Sequence, residues 1–177
     1  MVTGLNDGGY DPGALGELLT DAEPPEVAEA RTGIREFLAR TPFEPRCDGW
    51  LTGFSPEFSR ALGAAGWIGL TWPKQYGGAA RSNLVRHAVV EELLAAGAPV
   101  AAHWFADRQV GPSLLRHGTP RQRELLLPGM ARGETYVSVG LSEPESGSDL
   151  ASVRTRARRT DGGWRVRGTK VWTSHAH

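Results

Sequence analysis

The chain has 177 residues, 40% hydrophobic and 23% charged, a length that holds one ordinary domain or a domain and part of another, and a composition that excludes a collagen-like or wholly disordered chain. Its 20 Lys and Arg balance 20 Asp and Glu, so no global field recruits nucleic acid or an anionic membrane, and neither partner is expected. No apolar run approaches the roughly 18 residues of a spanning helix, the acidic start (Asp7, Asp11, Glu17, Asp21, Glu23, before the first basic residue, Arg31) is unlike a signal or transit peptide, and the lone Cys47 forms no internal disulfide, which makes a reducing cytoplasm the expected compartment.

Residues 1–25 combine Gly, Pro and Asp with few large apolar groups and read as a flexible lead-in. The first helix is expected over Glu26 to Arg40, with Val27, Ile34, Phe37 and Leu38 on its buried stripe and Pro42 closing it. Ser55 caps the second, Pro56 suits its first position, and Phe58, Leu62 and Trp67 follow. Residues 69–78 form a loop whose aromatics, Trp72 and Tyr76, need a wall to lie against. Ser82 caps a third helix reaching Ala96, with Leu84, Val85, Ala88, Val89 and Leu93 on one face. A fourth spans Ala102 to His117, which Gly111-Pro112 must bend or interrupt. The clearest start is Thr119-Pro120, leading to Leu125, Leu126 and Leu127 before Pro128. Helices with short links and no strand among them make residues 26–133 an all-α domain.

From Glu134 the hydrophobic period becomes two, and residues 134–177 read as the first strands of an antiparallel, barrel-like β domain, giving an α+β chain. Tyr136 to Leu141 is a strand candidate; Val153, Thr155 and Ala157 then alternate with Arg154, Arg156 and Arg158, one face apolar and the other arginine. Asp161-Gly162-Gly163 signals a hairpin that returns through Trp164 and Val166 to Val171 and Trp172. From Leu150 onward six arginines and Lys170 face only Asp161, a local charge of +6 against −6 in the preceding residues. So few strands leave edges unpaired and half a hydrophobic face uncovered, and the sheet reads as incomplete.

Two segments carry candidate chemistry. Between strands, residues 141–149 hold Pro144 to stiffen the chain, Gly147 to admit a ligand close to the backbone, and the hydroxyls of Ser142, Ser146 and Ser148; the same composition also serves a plain connector. In residues 170–174, the Trp172 indole can wall a conjugated ring and the Thr173 and Ser174 hydroxyls can bond its heteroatoms, or all three are ordinary strand residues.

The ordered series Trp72-Pro-Lys-Gln-Tyr-Gly-Gly78, Glu91-Glu-Leu-Leu94, Gly118-Thr-Pro-Arg-Gln122 with Leu127-Pro128, Leu141-Ser-Glu-Pro-Glu-Ser-Gly-Ser-Asp149 and Lys170-Val-Trp-Thr-Ser174 resembles the acyl-CoA dehydrogenase family, from about Trp67 to the last residue. The resemblance implies an N-terminal helical domain leading into the middle β domain, with the family's C-terminal helical domain absent from these residues. It implies FAD as cofactor, an acyl-CoA thioester as substrate, an electron-transferring flavoprotein as partner, and a homo- or hetero-oligomer. Residues 139–148 look like the flavin-binding strand and loop: Val139, Leu141, Ser142, Gly147 and Ser148, with the Ser142 hydroxyl and nearby amides facing the pyrimidine edge. Ser148 is similar to a residue beside the thioester arm, and Trp172, Thr173 and Ser174 resemble the segment flanking the ring, with Ser174 toward flavin N5. Glu145 and Ser146 replace the small residues usual there.

The resemblance places the family's catalytic carboxylate in the missing domain, so no catalytic residue is assigned, and the chain is expected to be inactive alone. Glu91 and Glu92, about 100° apart on a helix, read as solvated surface. The rival reading is a non-catalytic partner subunit that completes a flavin site with another chain. His175 and His177 have strand spacing for a metal, but too few ligands accompany them, and no metal is expected. The arginine stripe lacks interleaved aromatics for nucleic acid. His87 and His103 read as packing or surface residues, and His117 suits a helix C-terminus.

Overall fold

The computed structural model describes residues 23–176; most of the lead-in (residues 1–22) and His177 lie outside them. Helix α1 is Pro25–Arg40, where the proline fixes φ at the first position, and it buries Val27, Ala30 and Ile34 while Phe37 and Leu38 are half-buried. A single turn, α2 (Gly49–Thr52), has no counterpart in the sequence reading. Helix α3 (Pro56–Ala64) starts as expected, the Ser55 hydroxyl accepting the Phe58 amide at 3.2 Å. Helix α4 (Asn83–Ala95) is capped by Ser82 and packs along α1.

The fourth expected helix is three pieces: α5 (Ala101–Phe105), a π-helical turn (Ala106–Val110) and α6 (Gly111–His117). The bend foreseen at Gly111-Pro112 takes the form of widened turns just before it, because Pro112 has no N–H to continue the ordinary ladder. Gly111 also lies under the Trp72 indole, where a Cβ would stand 2.1 Å from Cζ2. Helix α7 (Pro120–Ala131) opens with a full capping box between Thr119 and Gln122. It does not stop at Pro128 as the leucine run suggested. The proline loses one bond, to the carbonyl of solvent-exposed Glu124, and the helix continues because Gly129, Met130 and Ala131 become buried.

Two apolar clusters hold these helices. One joins α1, α3 and α4 through Ile34, Leu62, Val85 and Val89; the other gathers Leu127, Met130 and Ala106 around Trp72, which is the wall its loop required, with Tyr76 at the margin. A polar tie reinforces the first. Glu92 accepts from Arg31 and from Arg35 in bidentate fashion at 2.7–2.8 Å, linking α4 to α1. Glu92 is therefore a half-buried clamp and not the solvated residue expected, while Glu91 is exposed and pairs with Arg31 Nη1 at 2.8 Å.

The β region differs more. Among the described residues, β1 (Arg156–Thr160) and β2 (Gly163–Arg167) are the only strands of this region, paired antiparallel across the two-residue turn Asp161-Gly162. Residues 136–141 and 171–172 carry strand composition but sit in no strand: a sheet is made by partners, and the described residues supply none for them. Every residue of β1 and β2 is exposed, so the expected apolar face (Ala157, Trp164, Val166) exists as a pattern without burial. The chain is thus a helical region followed by an antiparallel strand pair, a partial α+β fold.

Candidate functional site

The serine-bearing loop is built from a tight turn. Glu143 N–H donates to Ser146 O and Ser146 N–H returns the bond to Glu143 O (2.8 and 3.1 Å), with Pro144 and Glu145 at the tip. This turns Ser146 inward: it is buried, and its hydroxyl donates to the Asp149 carbonyl. Of the three hydroxyls expected to be free for a ligand, Ser146 is therefore committed to the fold. Ser142 is half-buried and Ser148 exposed, and neither hydroxyl is bonded among the described residues; Gly147 faces open space.

Glu143, which the sequence reading passed over, organises the region. Its side chain sits in a residue only 6% exposed and accepts the amides of Arg154 (2.6 Å) and Thr155 (2.9 Å) and the Lys170 ammonium (3.0 Å). The Thr155 hydroxyl, which faces the carboxylate without completing a well-formed bond, together with these donors holds its pKa down to about 2 against the upward push of desolvation. The signal in the sequence was a carboxylate two residues after a strand-like run and 27 before a lysine, a separation that only the fold interprets.

The two candidate segments lie side by side. Val171 N–H donates to Ser142 O at 3.0 Å, Lys170 Nζ donates to Leu141 O at 2.8 Å, and Gly140 is so close that a Cβ on it would approach the Lys170 side chain and Thr173 Oγ1 at 3.3 Å. Trp172 differs from its strand expectation. Its φ is +58° and it is 91% exposed, because the chain turns away from β2 after Gly168 to reach the loop. Thr173 and Ser174 are half-buried beside it. The far end is anchored on the helical region, where His175 Nε2 contacts Leu51 O at 2.8 Å and the His175 ring lies 5.1 Å from Phe54, itself edge-on to Tyr136. These contacts place His175 in packing; His177 lies outside the described residues.

On the helical side, Val139 and Leu141 line a groove of about 490 Å³ with Val110, Leu114, His117 and Gln122. A second concavity of about 640 Å³ runs along the hairpin, lined by Glu145, Arg154, Arg156, Arg158, Arg165 and Arg167. Four of these arginines pair across the strands, Arg156 with Arg167 and Arg158 with Arg165, and none of the four is in a salt bridge among the described residues. Elsewhere, buried His103 bonds Ser59 (Oγ to Nδ1, 2.7 Å) and burial pushes its pKa down to about 4; no carboxylate orients the pair, so it is core. Asp107 accepts the Gly69 amide at 2.8 Å and burial raises its pKa, which ties the loop before Trp72 to the π-helical turn. No group of three metal-ligating side chains exists among the described residues. No helix there is long and apolar enough to cross a membrane.

Against known proteins, the model of the acyl-CoA dehydrogenase N-terminal domain matches residues 24–134. This chain belongs to that family. It is 41% identical over 159 residues to the acyl-CoA dehydrogenase FadE26 of Mycobacterium tuberculosis, covering 85% of this chain and 39% of that protein. To isovaleryl-CoA dehydrogenase of Oryza sativa subsp. japonica it is 34% identical over 60% of its length and 26% of the relative's. Among solved structures, the ChsE4-ChsE5 complex from Mycobacterium tuberculosis superposes with a TM-score of 0.75 at 36% identity, over 88% of this chain and 40% of the other. A glutaryl-CoA dehydrogenase from Mycobacterium smegmatis in complex with FADH2 gives 0.72 at 27%, over 85% and 39%. The chain thus spans about 40% of the length of its more extensive matches.

Proposed function

We propose that this chain contributes the helical floor and the first β segments of the flavin site of an FAD-dependent acyl-CoA dehydrogenase, an enzyme that desaturates an acyl-CoA thioester between its α and β carbons. The carrying observation is the juxtaposition of the Ser142 loop with an outward-facing Trp172 beside Thr173 and Ser174. The residues fit the group. A flat conjugated ring needs an apolar wall and hydroxyl or amide partners at its edge, and here the indole is uncovered while the Ser142, Thr173 and Ser174 hydroxyls form no hydrogen bond among the described residues.

FAD, when bound, supplies the two-electron oxidation. Ser142 and the neighbouring amides serve the polar edge of the ring, Gly147 allows close backbone approach, and Trp172, Thr173 and Ser174 flank the opposite edge. Ser148 reaches the thioester arm. Val139 and Leu141, with Val110 and Leu114, offer an apolar lining on the helical side. Among the described residues, neither Glu92, held by two arginines, nor Glu143, held by two amides and a lysine, is free to take the α-proton. The catalytic base, an acyl-CoA substrate complex and an electron-transferring flavoprotein as the next acceptor belong to the completed enzyme. The uncovered hairpin favours completion by further strands, whether from the same polypeptide or, in the rival reading of a non-catalytic partner subunit, from a second chain.

The test is size-exclusion chromatography with FAD, monitored at the visible absorption of oxidised flavin, on the chain alone and mixed with the part of FadE26 that lies beyond the matched residues. Flavin co-eluting with protein, and turnover of an acyl-CoA with an artificial acceptor only in the mixture, are expected. Flavin eluting free from both samples overturns the proposal.

A further inference from the structure

The loop and the Trp172 segment meet without any sheet to align them, so something else fixes their spacing. Residues 141–142 and 170–171 share one backbone hydrogen bond, Val171 N–H to Ser142 O, too little to fix two irregular segments. Lys170 adds a second tie by donating to Leu141 O, and the same ammonium donates to the Glu143 carboxylate, whose other bonds go to the amides that lead into β1. One side chain therefore connects the serine turn, the entrance of the hairpin and the segment that follows it. All donors point at a charged acceptor in a nearly buried position, the setting in which such bonds are strongest and the loss of one partner is most costly.

We infer that Glu143, acting through Lys170, is a positioning residue that sets the separation between the Ser142 turn and the Trp172 segment, and hence the width of the flavin slot. The inference rests on the proposed function for what fills the slot, and on geometry alone for the clamp. The carboxylate stays ionised through the whole range in which an enzyme works, since its pKa is about 2, so the clamp is permanent and not a pH switch. The two bond types divide the labour. The amide bonds fix the turn relative to β1, and the lysine fixes the indole segment relative to the turn.

The experiment compares wild type, E143Q, K170M and K170R, with E134Q as a surface carboxylate control, on the full chain. Two readouts are taken: amide hydrogen exchange at Arg154, Thr155 and Val171, and FAD affinity from quenching of flavin fluorescence, using the same chain or mixture that retains flavin. The expected result is exchange at least tenfold faster at Arg154 and Thr155 in E143Q and at Val171 in K170M, with FAD affinity at least tenfold weaker in both. Affinity in K170R returns to within threefold of wild type, E134Q matches wild type, and the thermal midpoint of the helical region is unmoved in every variant. Should E143Q fail to fold, K170M carries the same reading through Val171. Unchanged exchange overturns the clamp, whatever the flavin does. Faster exchange with unaltered flavin affinity overturns the positioning role. Faster exchange in the variants of a wild type that retains no flavin overturns the flavin-site reading, and the positioning role with it.

Discussion

His103 shows how burial sets the chemistry of a single side chain. Its pKa falls from 6.5 to about 4 because the ring has no access to water or to a compensating charge, and its one resolved bond is to Ser59. The unfolded chain takes up a proton below pH 6.5 that the folded chain refuses until about pH 4, so stability is full at neutral pH and declines as pH falls through that window. The slope is about 1.4 kcal/mol per pH unit and the total roughly 3 kcal/mol. Glu92, whose pKa is lowered by its arginines, loses its contribution only below about 4.5, and Asp107, raised by burial, has the opposite sign, since protonation favours its folded form. Urea denaturation of wild type and H103Q at pH 7, 6 and 5 separates these effects: the wild-type midpoint falls across this range and that of H103Q falls much less. Parallel slopes would remove His103 as the cause. The sequence located this histidine in a helix but not its depth, which depends on α3 and α5 converging.

At the scale of elements, the helix starts were legible and the helix continuations were not. Ser55, Ser82 and Thr119 each cap as read, because capping is decided by three or four neighbouring residues. The reciprocal bonds of Thr119 and Gln122 satisfy two otherwise orphaned amides, and T119A is expected to lower stability by about 1 kcal/mol, measured as a shift in the chemical denaturation midpoint. An unchanged midpoint would mean that the α7 start is held by packing alone. Conversely, the passage of α7 through Pro128 follows from what lies opposite, the Trp72 cluster, which no local pattern reports, while Gly111-Pro112 gave the place of the bend before α6 but not its π-helical form. The candidate site divides in the same way. Ser142 and Trp172 stood out by composition and do come to lie near each other, whereas the role of Glu143 is a product of tertiary contact and the inward turn of Ser146 is set by its local bonds to Glu143 and Asp149.

Across the whole molecule, the contrast between its two halves is one of closure. The helical region encloses two apolar clusters, while the hairpin presents both edges and both faces to solvent, with Trp164 and Val166 two-thirds exposed. Alternation of apolar and arginine residues marked β1 and β2, because period two is local, whereas residues 136–141 and 171–172 carried strand composition and formed no strand; the lack of cover was expected from the small number of strands. Such a ribbon is a template on which a second copy can grow by hydrogen bonding, and what opposes this is the ladder of guanidinium groups along its flank. Mutual repulsion of these groups reaches about 10 Å in 0.1 M salt but only about 3 Å at 1 M. Static light scattering of the isolated chain should therefore stay at the monomer value in dilute buffer and climb as salt is added, and a flat response would show that the arginines do not guard the edge. By this logic the hairpin's charge acts as a chaperone built into the strands themselves, holding the bare ribbons of two copies apart.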